Sequence, residues 1–133
     1  MTNNPSASGG CLCGAIRYTV RGELADVSDC HCERCRQFTG HYMAATSAEL
    51  DDIDVQDPGS MLRWYFPVPE AGYGFCSGCG SSLFWQSTGK PARRSICAGT
   101  LNTPTGLKTR RAIWVSEASH YHDRPDLPGL ATE

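Results

Sequence analysis

The chain has 133 residues, a formal net charge of −2 and eight cysteines. That length corresponds to one domain with a modest core. The near-neutral charge offers no basic face for nucleic acid, and no apolar run approaches the roughly 20 residues of a membrane span. The first ten residues are small and polar and lack the charged and apolar regions of a secretion signal. Residues 1–8 are expected to be a flexible leader, 9–123 a single domain and 124–133 a polar tail lying over the surface or fraying. A cytoplasmic, reducing compartment with free thiols follows.

Along the chain, Cys11 and Cys13 come first, among Gly9, Gly10 and Gly14. Strand residues i and i+2 share a face, so the two sulfurs can converge while Leu12 points away. Residues 15–20 place Ile16, Tyr18 and Val20 on one side and predict a strand. Cys30, Cys32 and Cys35 follow as a trio, and 32–38 predicts one short helical turn. Short strands are predicted over 41–46, 61–66, 82–86, 95–98 and 112–116, rich in apolar and aromatic residues and bounded by Gly, Pro, Asp or Asn. The acidic segment 51–60 and the segment 67–72 read as surface loops, and 103–106 as a turn. Cys76 and Cys79 sit in a knuckle whose Gly78 and Gly80 are expected to be left-handed. The fold class is mainly β. Each half supplies a cysteine pair, a glycine and a strand, an internal echo implying that the two pairs do the same job.

Eight cysteines also fit four disulfides. Cysteines one or two residues apart are poorly placed to bond each other, whereas these gaps match metal-ligand spacing. Four thiolates close a tetrahedral zinc, and three leave one position open. Cys11, Cys13, Cys76 and Cys79 therefore form a candidate structural zinc site, and Cys30, Cys32 and Cys35 a second, open one, giving two Zn2+ per chain. The alternatives are a redox-active pair and, for the trio, a structural site completed by His31, His41, His120 or His122. Cys97, in an apolar stretch, reads as a small buried hydrophobe, with a place at the metal as the other option. Three thiolates leave a zinc complex at net charge −1, electrophilic enough to bind a thiol or water and lower its pKa.

These motifs resemble one known family. Gly10-Cys11-Leu12-Cys13-Gly14 leading to Tyr18, Cys30-His31-Cys32-Glu33-Arg34-Cys35-Arg36 with Gly40, Phe75-Cys76-Ser77-Gly78-Cys79-Gly80 to Leu83, and Ala98 to Leu101 occur in the order found in the glutathione-dependent formaldehyde-activating enzymes. That family also includes centromere protein V. The resemblance spans roughly residues 9–116. It implies small antiparallel sheets in a β-tent arrangement, the same division of cysteines into structural and catalytic zinc sites, and carbon–sulfur lyase chemistry joining or separating glutathione and formaldehyde as S-hydroxymethylglutathione.

On this reading, the open zinc holds a substrate thiol as thiolate, a carbonyl carbon is attacked, and a proton donor completes the hydroxyl. His31, flanked by two ligands, is the candidate acid–base group alongside the catalytic Cys30, Cys32 and Cys35. His41 and Tyr42 are candidates for the same pocket, and His120 and His122 for a further metal or pocket element, against a simple surface end. Arg36 is a candidate carboxylate clamp. Arg93, Arg94, Lys108, Arg110 and Arg111 are either solvated charges or an attraction for an anionic thiol such as glutathione. Trp64, Trp85 and Trp114 are expected in the core. The competing functions are a non-catalytic zinc-binding module, disfavoured by a trio with no fourth cysteine, and a thiol-based sensor, which requires the trio to lose zinc or oxidise readily.

Overall fold

The computed structural model describes residues 7–132. The protein is mainly β, with 43% strand and 13% helix. In chain order the elements are β1 (Ala7–Gly10), β2 (Arg17–Val20), β3 (Val27–Cys30), α1 (Glu33–Thr39), β4 (Met43–Glu49), β5 (Ile53–Gln56), β6 (Leu62–Val68), β7 (Ala71–Cys76), β8 (Ser82–Ser87), β9 (Arg93–Cys97) and β10 (Thr109–Ile113). A small sheet runs β1-β2-β5, and a seven-stranded sheet runs β10-β3-β4-β9-β8-β7-β6. All pairs are antiparallel except β10 with β3, so the larger sheet is mixed and not purely antiparallel. No helix among the described residues is long and apolar enough to cross a membrane.

The two faces of the larger sheet have different tasks. Thr46, Ile96 and Phe84 lie in register across β4, β9 and β8, and this face packs on Tyr18 and Val20 of the small sheet. Ile16, Tyr18, Val20, Leu83, Phe84 and Ile96 are all 0% exposed, and Tyr18 meets Phe84 edge-on with ring centroids 5.5 Å apart. The opposite face follows from the period of two. Cys30 pairs with Met43, Ala45 with Cys97, Ser95 with Trp85, and Trp85 with Tyr73. Helix α1 covers this face with Phe38, whose ring stacks on Tyr73 at 4.6 Å. The helix starts at Cys32, whose Sγ accepts the Cys35 N–H at 3.4 Å. It stops at Gly40, left-handed at φ 87°, whose N–H reaches the Arg36 carbonyl at 2.9 Å.

Several expectations need correction. Residues 7 and 8 were expected to belong to a flexible leader, yet they pair with β2 as part of β1; residues 1–6 of the expected leader lie outside the described residues. Gly9 must be glycine, because a Cβ there would collide with the Tyr18 hydroxyl and the Thr100 carbonyl. The expected loops contain β5 and the start of β7. The strand expected over 41–46 is shifted to Met43–Glu49, since Gly40 closes the helix first and Arg93–Ser95 extends the pairing beyond residue 46. The strand expected over 112–116 ends at Ile113, because Trp114 turns left-handed (φ 57°) into a short 3-10 turn. The segment after residue 124 is exposed yet tied down. Ala112 donates to the Pro128 carbonyl and Leu130 to the Ala112 carbonyl, both at 2.9 Å.

Candidate functional site

Cys11, Cys13, Cys76 and Cys79 come together with their sulfurs all within 4.8 Å of one another. Cys11 and Cys13 Sγ are 3.6 Å apart, and Cys13 and Cys76 Sγ 3.8 Å. A tetrahedral zinc with bonds of about 2.3 Å places its sulfurs about 3.8 Å apart, so this donor set fits such an ion. These separations are far too long for disulfides, and all eight cysteines are free. The two knuckles are built alike. Gly14 and Gly80 take φ 81° and 80° and donate to the carbonyls of Cys11 and Cys76. Gly78, expected to be left-handed, is not among the positive-φ glycines. A Cβ there would lie 2.7 Å from Met61 Cε, the mobile end of a flexible side chain that can shift to admit it. The Ser81 hydroxyl accepts the Leu12 N–H at 3.0 Å and lies 3.1 Å from Cys79 Sγ, bridging both knuckles. That contact brings the Cys79 thiol down to about 5.

The trio forms the second cluster, again with sulfurs within 4.8 Å. Cys30 ends β3, Cys32 caps α1 and Cys35 lies in its first turn. Hydrogen bonds from Cys30 and then Cys35 drive the Cys32 thiol down to about 2. Its charge holds the others up: Cys30 rises to about 11, chiefly through Cys32, and Cys35 rises through Cys30 and Cys32. Three sulfurs this close favour one thiolate and resist further ionisation unless a cation joins them, and three soft donors fit zinc with a position to spare. Tyr73, which the sequence reading missed, is 1% exposed with its hydroxyl 3.2 Å from Cys35 Sγ. Burial holds its phenol well above the ordinary value, so it stays protonated. The signal available in the sequence was the alternation Tyr73, Phe75 between Gly72 and Gly74.

The trio opens onto a cavity of about 660 Å³. Met43, Tyr73, Trp85, Ile113 and Trp114 line it with apolar surface, and Arg34, Lys90, Arg93, Arg110 and Arg111 border it. Arg93 is paired with Glu49 at 3.0 Å, and Arg110 with Asp26 at 3.1 Å. Lys108 is not among the lining residues.

His31 is placed elsewhere. It alternates with Cys30 and Cys32, is 3% exposed, and packs on Tyr42 and His122 with ring centroids 4.9 and 6.3 Å away. Burial, followed by Arg124, His122 and His41, holds its imidazole below the ordinary value. His41, Tyr42 and His122 join this aromatic cluster, with Tyr121 bonded to His41 Nδ1. None of these residues lines the cavity, nor does Arg36, whose buried Nε has no partner among the described residues. His120 is exposed, while His122 belongs to the histidine cluster and not to a plain surface end. Cys97 packs beside the trio, and burial pushes its thiol up to about 12. Trp64 packs on the core, whereas Trp85 and Trp114 are half-buried walls of the cavity.

A mainly β protein with one closed four-cysteine cluster and one open three-cysteine cluster on a basic cavity is thus defined. The chain belongs to the glutathione-dependent formaldehyde-activating enzyme family, whose model matches residues 6–117. A crystal structure of a Rhodobacter sphaeroides protein is similar to it, with a TM-score of 0.61 and 26% identity over 92% of this chain and 98% of that one. No curated protein matches the sequence.

Proposed function

We propose that the protein is a carbon–sulfur lyase acting on thiol–aldehyde adducts, such as S-hydroxymethylglutathione, in a reducing, cytoplasmic setting. The observation that carries the reading is the three-cysteine cluster opening onto a basic, aromatic-walled cavity. Cys30, Cys32 and Cys35 would hold one zinc, and Cys11, Cys13, Cys76 and Cys79 a second that ties the fold together. Zinc bound to three thiolates supplies the Lewis acidity that keeps a substrate thiol ionised near neutral pH.

The chain's own residues do the rest. In the forward direction a sulfur–carbon bond forms, the carbonyl π bond breaks, and the proton released from the thiol ends on the new hydroxyl. Met43, Trp85 and Ile113 keep water from the reacting sulfur. Tyr73 Oη lies 3.2 Å from Cys35 Sγ, where it would orient that ligand, and is a protonated hydroxyl bordering the cavity at the trio. It takes the proton-handling place first assigned to His31. The test is the exchange rate between free glutathione, formaldehyde and their adduct, followed by NMR line-shape analysis. Acceleration by the purified protein, lost in Cys32→Ser, is the expected result. No acceleration with zinc at both clusters rejects the reading.

A further inference from the structure

The chain as a whole is acidic, with 12 Lys and Arg against 14 Asp and Glu. Its cavity is not: Asp26 is the one acidic residue among the lining residues. Most of the surrounding arginines are already committed. Arg93 donates to Glu49 and Ser47, and Arg110 to Asp26. Arg94 borders the cavity, yet its guanidinium lies 4.8 Å from the Trp64 ring and 5.6 Å from Phe84, on the core face, with Nε bonded to Gln86 Oε1.

Two lining arginines are different: Arg34 makes no side-chain hydrogen bond or ion pair to the described residues and is unanchored, whereas Arg111 is held at one end only. Its Nε donates to the neutral Ser28 Oγ at 3.0 Å, and it forms no ion pair among the described residues. That bond steadies the guanidinium while its terminal Nη groups make no hydrogen bond to the described residues. The register fixes where it points. Arg111 sits opposite Ser28 and Ile113 opposite Cys30. Residues two apart share a face, about 7 Å apart along the strand. Arg111 therefore stands on the trio's side of the sheet, one strand repeat from Cys30.

We propose that Arg111 is the specificity-determining residue of the cavity, gripping a substrate carboxylate through its paired Nη groups while the substrate sulfur lies at the trio. A planar guanidinium already steadied at Nε suits bidentate carboxylate recognition and loses little freedom on binding. The ligand class that this pairing suits is a thiol carrying a carboxylate, and a small peptide-like thiol, at about 3.5 Å per residue, matches the strand repeat that separates Arg111 from the position opposite Cys30. The inference rests on the lyase reading for the place of the sulfur, and the experiment separates the two.

The full chain as purified is titrated calorimetrically with glutathione, glutathione diethyl ester and the sulfur-free tripeptide γ-glutamyl-alanyl-glycine. Wild type is expected to bind glutathione about 10-fold or more tightly than the diester, as for a lost charge-assisted hydrogen-bond pair. Arg111→Gln should abolish that discrimination at unchanged zinc content and melting temperature, and Arg111→Lys should restore part of it. In turnover assays the same change should raise KM at constant kcat. Equal binding of acid and ester by wild type, or discrimination retained in Arg111→Gln, overturns the proposal. Arg111-dependent binding of the sulfur-free tripeptide without any adduct exchange leaves the anchor standing and removes the lyase reading. Exchange that is indifferent to Arg111 does the reverse.

Discussion

Cys32 and Cys79 are both cysteines with depressed thiols, yet their loss should have opposite consequences. Cys32 caps a seven-residue helix at the edge of the cavity and touches little of the main core. Cys32→Ser is expected to lower adduct exchange by about 100-fold or more, the scale of losing a metal-based step, while the circular dichroism spectrum and melting temperature stay close to wild type. Tyr73→Phe removes only the hydroxyl that meets Cys35 Sγ. A loss of about 10–100-fold in metal affinity or activity is expected, as for outer-shell partners generally, and competition with a colorimetric chelator would measure it. Cys79 makes a pH prediction. Its thiol falls from 9.0 to about 5 in the folded chain, first through the Ser81 hydroxyl. A depressed folded value means the contribution is complete above about pH 9 and is lost as pH falls through about 5. Ser81→Ala should raise the folded value and so move the acid midpoint of unfolding to higher pH, a shift that circular dichroism would read.

At the scale of elements, Gly80 of the second knuckle and Gly99 of the 3-10 turn Ala98–Thr100 offer a clean comparison. A Cβ at Gly80 or at Gly99 would meet nothing within 4 Å, but only Gly80 is left-handed, at φ 80°. Gly80→Ala should therefore cost roughly 1–2 kcal/mol and Gly99→Ala much less, a difference readable by urea denaturation. The pairing of the knuckles was legible because cysteine spacing reports metal geometry directly. β2 was legible because its apolar residues alternate, and β6 and β8 because they are rich in apolar and aromatic residues. β1, β3 and β5 were not, being four residues each and defined by their neighbours in the sheet more than by their own composition. Missing β7 concealed Tyr73. The place of His31 was equally hidden, since the alternation carrying Cys30 and Cys32 to the cavity carries the residue between them to the opposite side.

For the whole molecule, the division of labour between clusters predicts distinct responses to metal removal. The closed set joins the small sheet's approach, Cys11 and Cys13, to the β7–β8 turn of the larger sheet. The trio is confined to β3 and α1. Mild chelation should lower the zinc-to-protein ratio from two to one with secondary structure retained, because the open site exchanges first. Cys79→Ser should leave a chain that is largely unfolded or melts far below wild type, since small zinc modules draw folding energy from the metal. A stable Cys79→Ser protein would show that the two sheets cohere on their apolar core alone.

Cys13 and Cys76 approach each other across 63 residues of chain, and this has a consequence for biosynthesis. A polypeptide leaves the ribosome from its N-terminus, so Cys11, Cys13, Cys30, Cys32 and Cys35 are all exposed before the second knuckle has been translated. The trio can take its metal at that stage, whereas the closed set cannot. A nascent chain that met zinc early could be captured by a mixed set drawn from the first pair and the trio, and it would have to exchange ligands once Cys79 emerged. Loading of metal at two such clusters would thus be tied to the order of translation, and the short helix that gathers Cys32 and Cys35 is the local element that would remove them from that competition.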